Sequence, residues 1–187
     1  MKEFSLNKFD RSYQLVQLMV TCTVFRLDKE HRLQVLIVQE SASKKGDSRL
    51  WTVPGGEVNK KDWGFEPKDK NEGKPGVLER ALKREIKEKC GISVDLFFLF
   101  KNRDVAVLQT GNTPAKVVVK FWAPYRGPAL SNPQNGTETF QWIVPHELES
   151  YSFVEGVKED VTLGFVEARR HIGYFIDHPF EGLGPAL

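Results

Sequence analysis

With 187 residues, of which 40% are hydrophobic and 28% charged, the chain has the length and composition of one globular domain able to bury a sizeable apolar core. That balance excludes a disordered or fibrous protein. A formal net charge of only +2, with the basic residues scattered, gives no indication of a dedicated nucleic-acid surface and leaves a phosphorylated small molecule as a compatible partner.

Residues 1–14 are polar and charged, and no apolar run approaches the roughly 18 residues needed to cross a bilayer, so no membrane partner is expected. Cys22 and Cys90 have no CxxC spacing, which fits structural thiols in a reducing, cytoplasmic setting.

From Leu15 to Leu27 the β-branched and aromatic residues Val16, Val20, Thr21, Thr23, Val24 and Phe25 predict a long strand, turned by Asp28 to Arg32. Leu33 to Val38 is apolar on both faces, the pattern of a central strand covered on each side. A polar loop, Ser41 to Ser48, leads to a short strand, Leu50 to Val53, and then to a sharp turn at Pro54-Gly55-Gly56. Residues 59–74 show neither a helical nor a strand period and read as an inserted loop containing Trp63 and Phe65.

Leu78, Leu82 and Ile86 then recur at helical spacing, and Gly91 ends that helix. Strands are predicted at Val94 to Phe100, Val105 to Gln109, Val117 to Trp122 and Thr139 to Val144. A second helix starts at Val157, with Val161, Phe165, Ala168, Ile172 and Phe175 on one face, and should cover the sheet.

Chemistry concentrates between the glycine turn and the end of the first helix, Arg84-Glu85-Ile86-Lys87-Glu88-Lys89-Cys90-Gly91-Ile92. Glycines let backbone carbonyls approach a site closely, and carboxylates three residues apart on a helix share a face that can hold a divalent ion. Glu85 and Glu88 have that spacing. Without further context, glutamates among lysines and arginines would be an ordinary solvated helix face. His31, His146, His171 and His178 lack ligand spacing and read as structural.

This stretch resembles the Nudix box, in which a Gly, five residues, a Glu and seven residues precede Arg-Glu-apolar-x-Glu-Glu-x-Gly-apolar. Arg84, Glu85, Ile86, Glu88, Gly91 and Ile92 match in register, and Trp-Thr-Val-Pro-Gly-Gly looks like the lead-in. The resemblance implies a Nudix-type α/β/α sandwich with a mixed central sheet, as a single domain over residues 1–187. Its core would span about residues 15–176, with the 59–74 insert, a polar N-terminal extension and a short C-terminal one.

It further implies metal-dependent hydrolysis of a diphosphate bond in a nucleoside diphosphate derivative or similar organic diphosphate, with Mg²⁺ or Mn²⁺ as cofactor. Glu85 would bind metal with possible general-base duty, Glu88 would bind metal and Arg84 would orient Glu85. The Gly55 carbonyl and Glu138 would be supporting ligands. Lys89, Trp63, Phe65 and Phe140 are the substrate-binding candidates; Trp63 and Phe65 could equally anchor the insert, and core packing is the commoner role for Phe140, as for Trp51 and Trp142.

Two positions depart from the pattern. Gly76 stands where the upstream glutamate belongs, a residue associated with supporting the loop and helix, and Glu57, Glu66 and Glu72 are the candidates to substitute for it. Lys89 replaces the second glutamate of the pair, normally a direct metal ligand. The competing expectation is therefore a domain of this fold that has given up metal-dependent hydrolysis, for non-hydrolytic chemistry on an apolar metabolite or for ligand or protein binding.

Overall fold

Residues 16–40, 49–63, 76–100, 105–108, 115–127 and 137–171 are described by a computed structural model of the chain. In chain order they form β1 (Gln17–Leu27), β2 (Leu33–Glu40), β3 (Trp51–Thr52), β4 (Gly55–Glu57), a 3-10 helix (Lys60–Trp63) and α1 (Val77–Cys90). There follow β5 (Phe98–Leu99), β6 (Val105–Leu108), β7 (Lys116–Pro124), β8 (Thr137–Ile143), a second 3-10 helix (Pro145–Ser150) and α2 (Val157–Arg170).

The strands make one mixed sheet. Its spine runs β3-β2-β1-β7-β5, with β4 paired to β1, β6 to β7 and β8 to β2. The β1–β7 pair is parallel from Gln17↔Lys116 to Phe25↔Pro124, and the other strand pairs among the described residues are antiparallel.

Side-chain alternation sorts the strands between two helical layers. On one face Val20, Cys22 and Val24 of β1 and Leu36 and Val38 of β2 pack with Ala81, Leu82 and Ile86 of α1. On the other, Phe25, Val35 and Ile37 pack with Val161, Phe165 and Ala168 of α2. The architecture is thus an α/β/α sandwich, and β2, buried on both sides, is apolar throughout its centre for that reason.

Several elements are shorter than their apolar runs. Of Val94 to Phe100 only Phe98 and Leu99 pair as a strand, although Ile92 and Val94 are buried beneath α1. Burial without a ladder explains the overextended reading. Residues 60–63 of the insert form a 3-10 helix instead of open loop, and Gly55–Glu57 is a strand as well as a turn. Phe65, Glu66, Glu72, Ile172 and Phe175 lie outside the described residues.

The α2 layer sits very close to β1 at Gly164. A Cβ built there would come within 2.7 Å of the Phe25 ring and 3.2 Å of the Thr23 methyl. Phe25 is fully buried and also meets Phe165 edge-on at 5.2 Å, so it has little room to yield. Gly164→Val should therefore destabilise the fold by about 2 kcal/mol through overpacking. Urea unfolding checks this, and an unchanged midpoint would contradict the packing described.

Candidate functional site

The site is built where β4 meets α1. Pairing of β4 with β1 (Thr21↔Gly55, Val20↔Gly56) lays the glycine segment flat across the sheet. A Cβ on Gly55 would strike the Val20 carbonyl and the Thr21 backbone, and one on Gly56 would overlap the Glu85 carboxylate. Both positions require glycine because two neighbours approach the bare backbone. α1 is aimed at them by its apolar stripe, with Leu82 and Ile86 fully buried, and is stopped by Gly91 at φ 73°.

Arg84 is the hub. Its Nε and Nη2 donate to the two oxygens of Asp62 at 2.9 and 2.8 Å, and Nη2 also reaches the Glu57 carbonyl at 2.8 Å. Nη1 donates to Glu85 Oε1 at 2.5 Å and, at 3.4 Å, to Glu88 Oε2. This forked pairing is the arrangement for which guanidinium geometry is suited. Asp62 is buried at 3% exposure. Its hydrogen bonds from Arg84 hold its carboxyl below the usual carboxylate range despite burial, and the same contact raises Arg84 above its ordinary value.

Asp62 was not among the candidates read from the sequence. It bonds Arg80 and Arg84 of α1 and the Asn59 backbone N–H, so it ties the 3-10 helix to α1. Gly76 itself is the residue before α1. Of the substitutes considered, Glu57 contributes its carbonyl, while Glu66 and Glu72 lie outside the described residues. The local signal that could have found Asp62 is faint: its carboxylate also accepts the Asn59 amide at 2.9 Å, closing the turn that starts the 3-10 helix.

Lys89 turns inward. Its Nζ donates to the Gly55 carbonyl at 2.6 Å and lies 3.7 Å from Glu85 Oε2, with the side chain 18% exposed. Glu85, at 11% exposure, is therefore gripped by Arg84 at one oxygen and faced by Lys89 at the other. Glu88 points outward, its side chain 51% exposed.

Trp63 is 48% exposed, and its carbonyl accepts from Arg80 at 3.3 Å. Phe140 lies opposite Val38 and packs against the α1-side core. Glu138 falls where the β2–β8 register shifts, between Gln39↔Thr139 and Glu40↔Thr137; its side chain, like Phe65, lies outside the described residues. Cys22 and Cys90 are free and buried, and burial pushes the Cys90 thiol up to about 12.

The described residues of the corner do not fit a divalent ion as they stand. Among the described residues no three His, Cys, Asp or Glu side chains converge as a metal site, and the Gly55 carbonyl and Glu85 already face an ammonium. At about 5 Å and an effective dielectric near 20, each pair of unit charges is worth roughly 3 kcal/mol, so a doubly charged ion beside Lys89 would meet about twice that repulsion.

The model of the NUDIX domain matches residues 17–162, which includes the β4–α1 corner and the strands around it. The chain belongs to the NUDIX family. Among curated proteins none matches it. Solved structures are similar in fold at low identity. The NUDIX domain of Shewanella oneidensis NrtR, complexed with ADP ribose, has a TM-score of 0.61 at 17% identity, covering 89% of this chain and 94% of its own. A MutT protein from Methanosarcina mazei gives 0.54 at 13%, covering 84% and 98%. A C. elegans Ap4A hydrolase binary complex gives 0.51 at 16%, covering 87% and 99%.

The Asp62–Arg84 pair carries a pH prediction. A carboxyl whose folded pKa is depressed contributes stability that is present above its unfolded value, near 3.9, and lost as pH falls through the folded value. Asp62→Asn should cost about 3 kcal/mol at neutral pH, since it breaks a buried pair. Urea titrations should show that gap to wild type closing below about pH 4. A gap undiminished in acid would contradict the pairing.

Proposed function

We propose that this NUDIX domain binds an organic diphosphate, a nucleoside diphosphate derivative or close analogue, at the β4–α1 corner without divalent-metal-dependent turnover. The observation that carries the second half of this reading is the Lys89 ammonium, seated on Gly55 O at 2.6 Å and beside Glu85. Those are two of the groups that would otherwise ligate Mg²⁺ or Mn²⁺.

The first half rests on charge and kinship. From Glu79 to Lys89 the helix carries Arg80, Lys83, Arg84, Lys87 and Lys89 against Glu79, Glu85 and Glu88, a positive balance in sequence that is compatible with a multiply negative ligand, although Arg84 is paired with Asp62 and Lys83 with Asp95. NrtR, similar to this chain in fold, holds ADP ribose in its NUDIX domain. The Asp62–Arg84 and Gly55–Lys89 contacts hold two of these cations in fixed positions, and a phosphate would have to share them with the groups they already bond.

Hydrolysis of the diphosphate bond is the second reading, favoured by the in-register match of Arg84, Glu85, Glu88 and Gly91 and by the outward carboxylate of Glu88. It requires the Lys89 ammonium to leave Gly55 and Glu85. Glu85, released from one of its two cations, would then be the carboxylate available to accept a proton from water. The bond broken would lie between two phosphoryl groups, with water's oxygen entering at phosphorus.

Calorimetric titration of ADP-ribose into the wild-type protein separates the two. The expected result is similar affinity in EDTA and in Mg²⁺ or Mn²⁺, with no phosphate product found by chromatography. Metal-dependent cleavage abolished by Glu85→Gln would establish the second reading. Failure of a panel of nucleoside diphosphate derivatives to bind would defeat the first.

A further inference from the structure

Lys89 has features that an ordinary surface lysine lacks. It starts on the last turn of α1 yet spans to β4, joining positions 34 apart in sequence through the Gly55 carbonyl. Its stem is mostly covered, and its head is 3.7 Å from a carboxylate whose other oxygen is held by Arg84. The glycine at 56 is what allows Glu85 to lie there at all, because any side chain would overlap its carboxylate. A positive point charge thus sits among a backbone carbonyl and a carboxylate in a corner shaped by two glycines.

We propose that the Lys89 ammonium is the resident cation of this corner, a tethered charge in place of an exchangeable divalent ion, and that the corner is a latent metal site closed by this one side chain. The proposal deepens the metal-independent reading above and rests on it in that respect. An ammonium is a compact, strongly hydrated charge with three donors, so it can take a carbonyl and a carboxylate at once, as a hard cation would. Unlike an ion, it cannot be removed by a chelator. It also ties the glycine strand to α1, so the corner keeps its shape without metal.

The chemistry of opening the site follows from helix geometry. A carboxylate at 89 would lie one turn from Glu85 and toward Gly55, giving two carboxylates and the Gly55 carbonyl as oxygen donors, the kind of set that hard divalent ions take. Lys89→Glu both removes the repelling charge and adds a ligand. Lys89→Gln removes the repulsion only, keeping a donor for Gly55.

Titration with Mn²⁺ alone, followed by the paramagnetic resonance signal of free ion, tests this. Wild type should leave the signal unchanged, K89E should bind one equivalent at least about tenfold more tightly, and K89Q should fall between them. Mn²⁺ should also raise the melting temperature of K89E and not of wild type. The gain should vanish in the K89E/E85Q double variant, locating the ion at the corner. Far-UV circular dichroism confirms folding, and K89Q serves if K89E does not fold. The proposal is overturned if wild type binds Mn²⁺ as tightly as K89E, if folded K89E and K89Q bind no better than wild type, or if the double variant keeps the ion. ADP-ribose binding to wild type in EDTA reports on the function reading alone, so the two can fail separately.

Discussion

A carboxylate pressed against bare backbone must have its charge matched on the spot, and that requirement organises the β4–α1 corner. Glu85 lies over Gly56 with little access to water, where solvent can offer only partial compensation. Arg84 meets one oxygen and Lys89 faces the other. Arg84 in turn is held by buried Asp62, which brings the 3-10 helix of the insert against α1, while Arg80 bonds the Asp62 carbonyl at 2.6 Å. The charges close into a network that spans β4, the insert and the helix, and in such a network each member fixes the others more firmly than a lone pair would.

That closure has a functional consequence. In a metal-dependent site the carboxylates are left under-compensated so that an ion completes them. Here the compensation is already supplied by the chain, and Glu88, the carboxylate least engaged, faces outward. Lys89, which stands where the resemblance places a second glutamate, bonds Gly55 O and faces Glu85 Oε2. Under the proposed reading one residue both withholds a ligand and fills the ion's place, and its bond to Gly55 O ties β4 to α1.

Much of the fold was legible because it follows from periodicity. The Leu78, Leu82, Ile86 stripe placed α1, Gly91 marked its end, and the two-sided apolar run of β2 implied layers on both faces. The site was legible in its glycines and in the register from Arg84 to Ile92, but the direction of the side chains was not. Glu85 and Glu88 share a helical spacing, yet position i+4, occupied by Lys89, is the one lying over Glu85 toward Gly55, while i+3 swings to solvent. Asp62 escaped notice for a different reason: its role depends on an arginine 22 positions away, and its own surroundings in sequence are polar and lysine-rich. Long-range ion pairs leave no periodic trace. The overextended strand at Val94 to Phe100 shows the converse, apolar residues buried under a helix without joining a ladder.

The account depends most on where the Lys89 ammonium resides, and nuclear magnetic resonance of lysine side-chain nitrogens observes it directly. A Lys89 NH₃⁺ signal protected from exchange, with scalar coupling across the hydrogen bond to the Gly55 carbonyl carbon and unaltered by added Mn²⁺, is the predicted result. A freely exchanging Lys89 signal without that coupling, together with Mn²⁺ broadening of the Glu85 and Gly56 amides, would contradict it.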